Sequence, residues 1–344
     1  MKYRLHFTLD YEIHGNGDGS PWKLMVEPTY RLMPLLEKYG QKLTIMADVA
    51  EILAFKRYYA DTGKDDFSVS EIEAQLQDAL RRGHDVQLHI HSSWFNARWD
   101  GKGWDQDIEE YNMAALPVER IDSMIGQCVS YLEDLLRPIK PDYKVWLFRA
   151  ANWSMMPTEN IYRALLNNGI AADTSVYKGG VQGGNVSYDY REAYHQLLSY
   201  PADARNINHP APSSQDRIIT EYPIYTEMRP FWAFVSPIRI FRMVRSKFHR
   251  HKKSSAAIEN ANPSITKDDN RSLSIKLFFR KSPWKMDFNQ GTGRQLIAAS
   301  KRIKGMKIVD RENVDIILIG HSKSFIPYNE KTLEKFLKWA VKNL

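Results

Sequence analysis

Short apolar runs alternate along this chain with segments of helical periodicity, and five of the runs end on an ionisable residue. This combination limits the fold more than any other feature. Strands separated by helices pair in parallel, and a parallel sheet is covered on both faces. The spacing predicts strands over 2–11, 42–47, 85–91, 143–148, 170–173 and 314–319, with further candidates at 219–225 and 273–279. Helices are expected over 23–39, 48–60, 68–82, 117–137, 157–168 and 329–344. The helix at 68 has a capping box at its start, Ser68-Val69-Ser70-Glu71 or Ser70-Glu71-Ile72-Glu73. Gly169 stands where a left-handed C-cap glycine would.

In parallel α/β folds, chemistry gathers at the C-terminal ends of strands. Here those ends read Asp10-Tyr11-Glu12, His89-Ile90-His91, Phe148-Arg149, Asp173-Thr174 and Gly320-His321-Ser322. A single Asp at a strand end usually caps a helix or forms a turn. Five such positions in register are hard to explain by capping alone. Residues two apart on a strand point to one face, so His89 and His91 can take two positions of a tetrahedral metal site. Asp10 and Glu12 have the same spacing and can add a carboxylate. Two histidines and one carboxylate, with one position open, suit a divalent ion such as zinc.

The 344 residues are 43% hydrophobic and 26% charged, which gives a soluble globular chain with a large core. Disordered, collagen-like and disulfide-stapled chains are excluded. Cys128 is the only cysteine, so no intrachain disulfide forms. No apolar run approaches the roughly 20 residues of a membrane-spanning helix. The first residues lack the apolar core of a secretory signal, and a cytoplasmic location is expected. Gly15-Asn16-Gly17-Asp18-Gly19 lacks the G-x-G-x-x-G spacing of a dinucleotide loop. A closed or nearly closed β/α barrel is therefore preferred to an open doubly wound sheet, with insertions at 176–218 and 251–272.

In order, the strand-end segments resemble the motifs of the polysaccharide deacetylases (carbohydrate esterase family 4). Phe7-Thr8-Leu9-Asp10-Tyr11-Glu12 is similar to T-F-D-D. Gly83-His84-Asp85-Val86-Gln87-Leu88-His89 is similar to G-H-E-[IV]-x-x-H. Phe148-Arg149-Ala150-Ala151-Asn152-Trp153, Asp173-Thr174-Ser175 and Leu318-Ile319-Gly320-His321-Ser322 stand for the remaining three. The resemblance implies a single-domain α/β fold over 1–344, a distorted (β/α)7-type barrel, and metal-dependent hydrolysis of an N-acyl group on an amino sugar. Tyr11 stands where the family has its second metal-binding Asp, and Ser93 where it has its second metal-binding His. Glu12 and His91 are the expected replacements, beside His89, around a divalent ion, most simply zinc. By the same resemblance Asp10 is the general base, His321 the general acid, Arg149 the group that holds Asp10 ionised, and Asp173 a partner of His321 or of substrate.

Trp94, Phe95, Trp99 and Trp104 fall within eleven residues of a loop after the second motif. Trp94 and Trp99, with Asn152 and Trp153, are expected to contact a sugar, because aromatic faces suit its apolar C–H groups; the alternative is that the rings pin the loop. The net charge of +7 is local. Seven Lys/Arg and no acid lie between Arg239 and Lys253, and outside that stretch basic and acidic residues balance. Preceded by Phe231 and Trp232, the segment 231–253 reads as a surface for an anionic membrane face, and a peripheral inner-membrane location fits it. A nucleic-acid surface is not expected from charge so confined. Two rival functions stand beside the deacetylase: a catalytically inactive barrel that binds glycan, and a deformylase or other amidase on the same scaffold.

Overall fold

A computed structural model describes residues 2–234, 281–309 and 311–344. The basic segment from 235 to 253, the expected insertion at 251–272 and the strand candidate at 273–279 lie outside them. The main sheet has eight strands. In chain order these are β1 (Lys2–Tyr11), β2 (Leu43–Asp48), β3 (Asp85–Ile90), β4 (Leu147–Ala150), β5 (Ala172–Asp173), β6 (Tyr200–Pro201), β7 (Thr220–Glu221) and, last in sequence, β10 (Asn313–His321). Two further strands, β8 (Thr226–Pro230) and β9 (Lys281–Lys285), pair only with each other. The order across the main sheet is β6-β7-β5-β4-β3-β2-β1-β10, parallel throughout except for the β6–β7 pair.

The helices α1 (Glu27–Glu37), α2 (Val49–Thr62), α3 (Val69–Arg81), α4 (Val118–Leu136), α5 (Thr158–Asn167), α6 (Gly293–Lys304) and α7 (Pro327–Asn343) bury one stripe each. This produces the alternation expected of βα units. The sheet curls into a distorted barrel. Thr220 and Tyr222 donate to Ala171 and Asp173 carbonyls beside β5, while Tyr225 donates to Ile317 on β10. One short segment thus bonds to both sides of the curl and draws it toward closure. The layer between the sheet and its helices is filled by Phe7, Leu9, Ile45, Leu88, Phe148, Leu318 and their neighbours, all fully buried, with Phe7 edge-on to Phe336 of α7.

Three local expectations are corrected. The helix at 69 is not capped by Ser68 or Ser70. Ser68 sits in left-handed backbone (φ 55°) without a side-chain cap bond, and Asp65 accepts the Val69 and Ser70 N–H groups instead. The strand predicted from 143 begins at Leu147, because the Gln87 side-chain oxygen takes the N–H groups of Trp146 and Leu147. Helix α6 has no counterpart among the expected elements. Its signal is the capping box of Thr292 with Gln295, both halves of which form. Residues 176–218 carry short paired strands and a buried tyrosine group, Tyr177, Tyr188 and Tyr190. Among the described residues no helix is long and apolar enough to cross a membrane.

Candidate active site

Strand register assembles the site. Asp10 on β1 stands opposite His321 on β10. Asp48 on β2 stands opposite His89 on β3, and His89 opposite Arg149 on β4. Four of the five strand ends read from the sequence therefore meet at one rim. The first half of β1 is exposed and its second half buried, which carries Asp10 and Glu12 into the interior.

Arg149 is fully buried and organises one side. Its Nη1 donates to Oδ1 of Asp10 at 2.6 Å, Nη2 to the Thr8 hydroxyl at 2.7 Å, and Nε to the Thr174 carbonyl at 3.0 Å. Burial alone would raise the Asp10 carboxyl. The charges of Arg149, His321 and His89 outweigh it and hold Asp10 below the usual carboxylate range. Nε2 of His321 lies 3.5 Å from Oδ2 of Asp10, the oxygen that Arg149 does not take.

Glu12 organises the other side. Its Oε2 lies 3.2 Å from Nδ1 of His91 and 3.5 Å from Nε2 of His89, and its Oε1 lies 3.2 Å from Nζ of Lys323. Burial opposes its charge, but Lys323, His91 and His89 keep the carboxyl well below its ordinary range. Burial likewise opposes an imidazolium at His89, yet the Glu12 contact and the Asp10 charge raise it to about 9.

Both imidazoles are also held by groups outside the Glu12 contact, and His89 is held from behind. Nδ1 of His89 lies 2.8 Å from the Arg149 carbonyl. A carbonyl only accepts, so Nδ1 carries the proton and Nε2, which faces Glu12, is the nitrogen available to a ligand. Nδ1 of His91, the nitrogen that also faces Glu12, meets Oδ2 of Asp48 at 2.8 Å. Donor atoms of Glu12, His89 and His91 lie within 4.8 Å of one another, as do those of Asp10, Glu12 and His321. Two nitrogens and an oxygen, with outer groups fixing the rings, fit a divalent ion of the zinc type.

The remaining expected residues divide. Trp153 reaches the site: its ring centroid is 6.1 Å from that of His321, and Nζ of Lys285 lies 3.2 Å above it. Asn152 and Trp153 both hold positive φ (50° and 59°), and Nδ2 of Asn152 is buried without a partner. Left-handed backbone at two successive non-glycine residues is strain of the kind found at binding sites. The expectation for Trp94 is corrected. It is 1% exposed, edge-on to Phe55 and Trp104, so its faces are closed to a ligand. Trp99 is half-buried in the same cluster, against Phe67 and Trp104. These rings pin the loop. Asp173 is corrected too. It is fully buried and its hydrogen bonds go to Ser175 N and Oγ, where it acts as a turn former rather than a partner of His321. Burial pushes its carboxyl up, beside the still higher Glu221.

Three contributors went unread in the sequence. Asp48 ends a strand as Asp10 does and obeys the same signal. Lys323 stands two residues beyond His321. Asn289 receives the His321 backbone N–H at 2.7 Å, and no pattern in the chain pointed to it.

No family model matches the sequence, and no curated protein matches it. Solved structures do. One is a protein assigned as a polysaccharide deacetylase from Mycobacterium smegmatis, at 11% identity over 99% of this chain and 85% of that one, with a TM-score of 0.50. Another is assigned as a glycoside hydrolase/deacetylase from Parabacteroides distasonis, at 10% identity over 99% of this chain, with a TM-score of 0.53; this chain spans 64% of its length. Such likeness speaks for fold, and it agrees with the barrel built above from register. The chain shares the barrel fold of these two structures at 10–11% sequence identity.

Proposed function

We propose that this protein hydrolyses an N-acyl group, most simply N-acetyl, from an amino sugar, in a metal-dependent reaction. The observation that carries the reading is the convergence of Asp10, Glu12, His89, His91, Arg149 and His321 on one buried rim. The names of the two structural neighbours, a deacetylase and a glycoside hydrolase/deacetylase, support it.

Glu12, His89 and His91 are the residues that would hold the ion, which when bound polarises an acyl carbonyl and makes water more acidic. Asp10 is the base. Arg149 occupies one of its oxygens and keeps it ionised, leaving Oδ2 to take a proton from the attacking water. His321, beside that oxygen, gives a proton to the departing nitrogen, because an amine leaves an acyl carbon only once protonated. Water thus adds to the acyl carbon, the C–N bond breaks, and the products are the free amine and a carboxylate. Trp153 offers its half-buried ring as a wall for the sugar next to His321.

The glycan-binding rival assigned its contacts to Trp94 and Trp99 of the tryptophan loop, and the burial of Trp94 takes one of those two rings away. An amidase for another acyl group uses the same residues and differs only in the acyl pocket. A place in surface-polysaccharide synthesis, cytoplasmic or at the inner membrane face, fits this substrate class. The test is release of acetate from N-acetyl sugars by the zinc-loaded protein. Asp10→Asn and His321→Ala are expected to lose about 100-fold or more in turnover each. Equal rates for all three proteins would overturn the reading.

A further inference from the structure

The Glu12 carboxylate is shared between two kinds of partner. Oε2 faces the imidazoles of His91 and His89, and Oε1 faces the ammonium of Lys323 at 3.2 Å. Lys323 lies on the short turn Ser322–Ser324 that follows β10, and its side chain is 12% exposed. The turn is tied to β1. Ser322 Oγ accepts the Glu12 N–H at 3.3 Å and lies equally near the Glu12 carbonyl. Nζ of Lys323 also donates to the Ile13 carbonyl at 3.2 Å. The ammonium is therefore held beside Glu12 by the Ile13 carbonyl and by a turn that is itself tied to the Glu12 backbone. A dication bound through Oε2 would have this fixed positive charge on the other oxygen of the same carboxylate. In a buried site such like charges repel much more strongly than in water. The lysine also draws charge from the ligand oxygen.

Resting on the metal reading above, we infer that Lys323 is a built-in counter-cation of Glu12 that fixes its orientation and lowers the affinity of the site for a divalent ion. Glu12 is held as a one-oxygen ligand, and with part of its charge taken up by the ammonium it neutralises less of the ion's own. The ion is bound less tightly and stays more electrophilic. Lys323 is a positioning residue in this account, since it acts through Glu12.

The experiment uses the full chain, stripped with a chelator and titrated with zinc chloride by calorimetry. Lys323→Met, which keeps the apolar stem and removes the repelling charge, is expected to bind zinc at least about tenfold more tightly than the unaltered protein. Lys323→Arg, which keeps the charge, stays close to the unaltered protein. Equal or weaker binding by Lys323→Met, with Glu12→Gln losing zinc, overturns this inference and leaves the metal site standing. Zinc binding by Glu12→Gln equal to that of the unaltered protein overturns both. Circular dichroism confirms folding of each variant, and Lys323→Gln serves in place of Lys323→Met should that one not fold.

Discussion

His91 donates its Nδ1–H to Oδ2 of Asp48 over 2.8 Å, and its backbone N–H to Oδ1 of the same carboxylate over 3.1 Å. Oδ1 also accepts the Glu51 N–H and so caps α2. One buried acid thus starts a helix and sets the ring of a candidate metal ligand. The two roles separate by substitution. Asp48→Ala is expected to weaken zinc binding about 10- to 100-fold and to lose about 1 kcal/mol of stability from the cap. Asp48→Asn retains a cap oxygen, so it should lose affinity with little change in melting. Calorimetric zinc titration and thermal unfolding of both variants check this. Full affinity in Asp48→Ala would refute it.

Arg149 and Asp10 form a buried pair at 2.6 Å, so removing one leaves the other uncompensated. Arg149→Met is expected to cost about 3–5 kcal/mol, the range for breaking a buried ion pair from one side. Adding Asp10→Leu removes the orphaned carboxylate and should recover much of that loss. Urea denaturation of the two single variants and the double variant gives the coupling. Additive losses would show that the pair is not coupled in the fold.

How far the site could be read from sequence follows from what sets each position. Asp10, His89, Arg149 and His321 meet because parallel register aligns strand ends, and strand ends are visible as apolar runs that stop on a charged residue. Asp48 shows the same pattern and could have been found. Asn289 could not, since its contact with the His321 backbone depends on how the 286–289 segment lies beside β10. Trp94 and Asp173 misled for a different reason. Residue type says that a ring can stack or a carboxylate can orient, but packing decides which way each one faces. Their burial against Phe55 and Trp104, and against Ser175, is a tertiary outcome. The barrel was legible from the alternation of elements, while Ser68 failed as a cap because Asp65 competed for the same N–H groups.

Acid stability has a separate source at the other end of the barrel. Asp315 on β10 receives Arg4 Nε at 2.8 Å and lies 2.7 Å from His6 Nε2 on β1. Burial works against its charge, yet His6 and Arg4 lower the carboxyl from 3.8 to about 2. The folded state thus favours the ionised form. Its contribution is complete above the unfolded value and is lost as pH falls through the folded one, between about pH 4 and pH 2. With Arg4 half exposed and solvent screening the pair, about 1 kcal/mol is at stake. Asp315→Asn should flatten that part of the stability curve and leave stability at pH 7 lower by a similar amount. An unchanged acid limb in the variant would disprove the assignment.

The tryptophans offer a test that divides packing from binding. Trp94 fills the space between Phe55 and Trp104, so Trp94→Ala opens a cavity and is expected to cost about 3–5 kcal/mol. At a temperature where the variant remains folded, its KM for an N-acetyl sugar should match that of the unaltered protein. Trp153 presents the opposite case. Its ring is half-buried, edge-on to His321 and Tyr177 and under Lys285, so Trp153→Ala removes less buried packing than Trp94→Ala but takes away the wall beside His321. It should melt within a few degrees of the unaltered protein and lose about tenfold in kcat/KM, the size of one stacking contact. Thermal unfolding and steady-state kinetics on the same two preparations decide between the roles. A stable Trp94→Ala with raised KM would put the loop back at the sugar, because only a ring that touches ligand can weaken binding without weakening the fold.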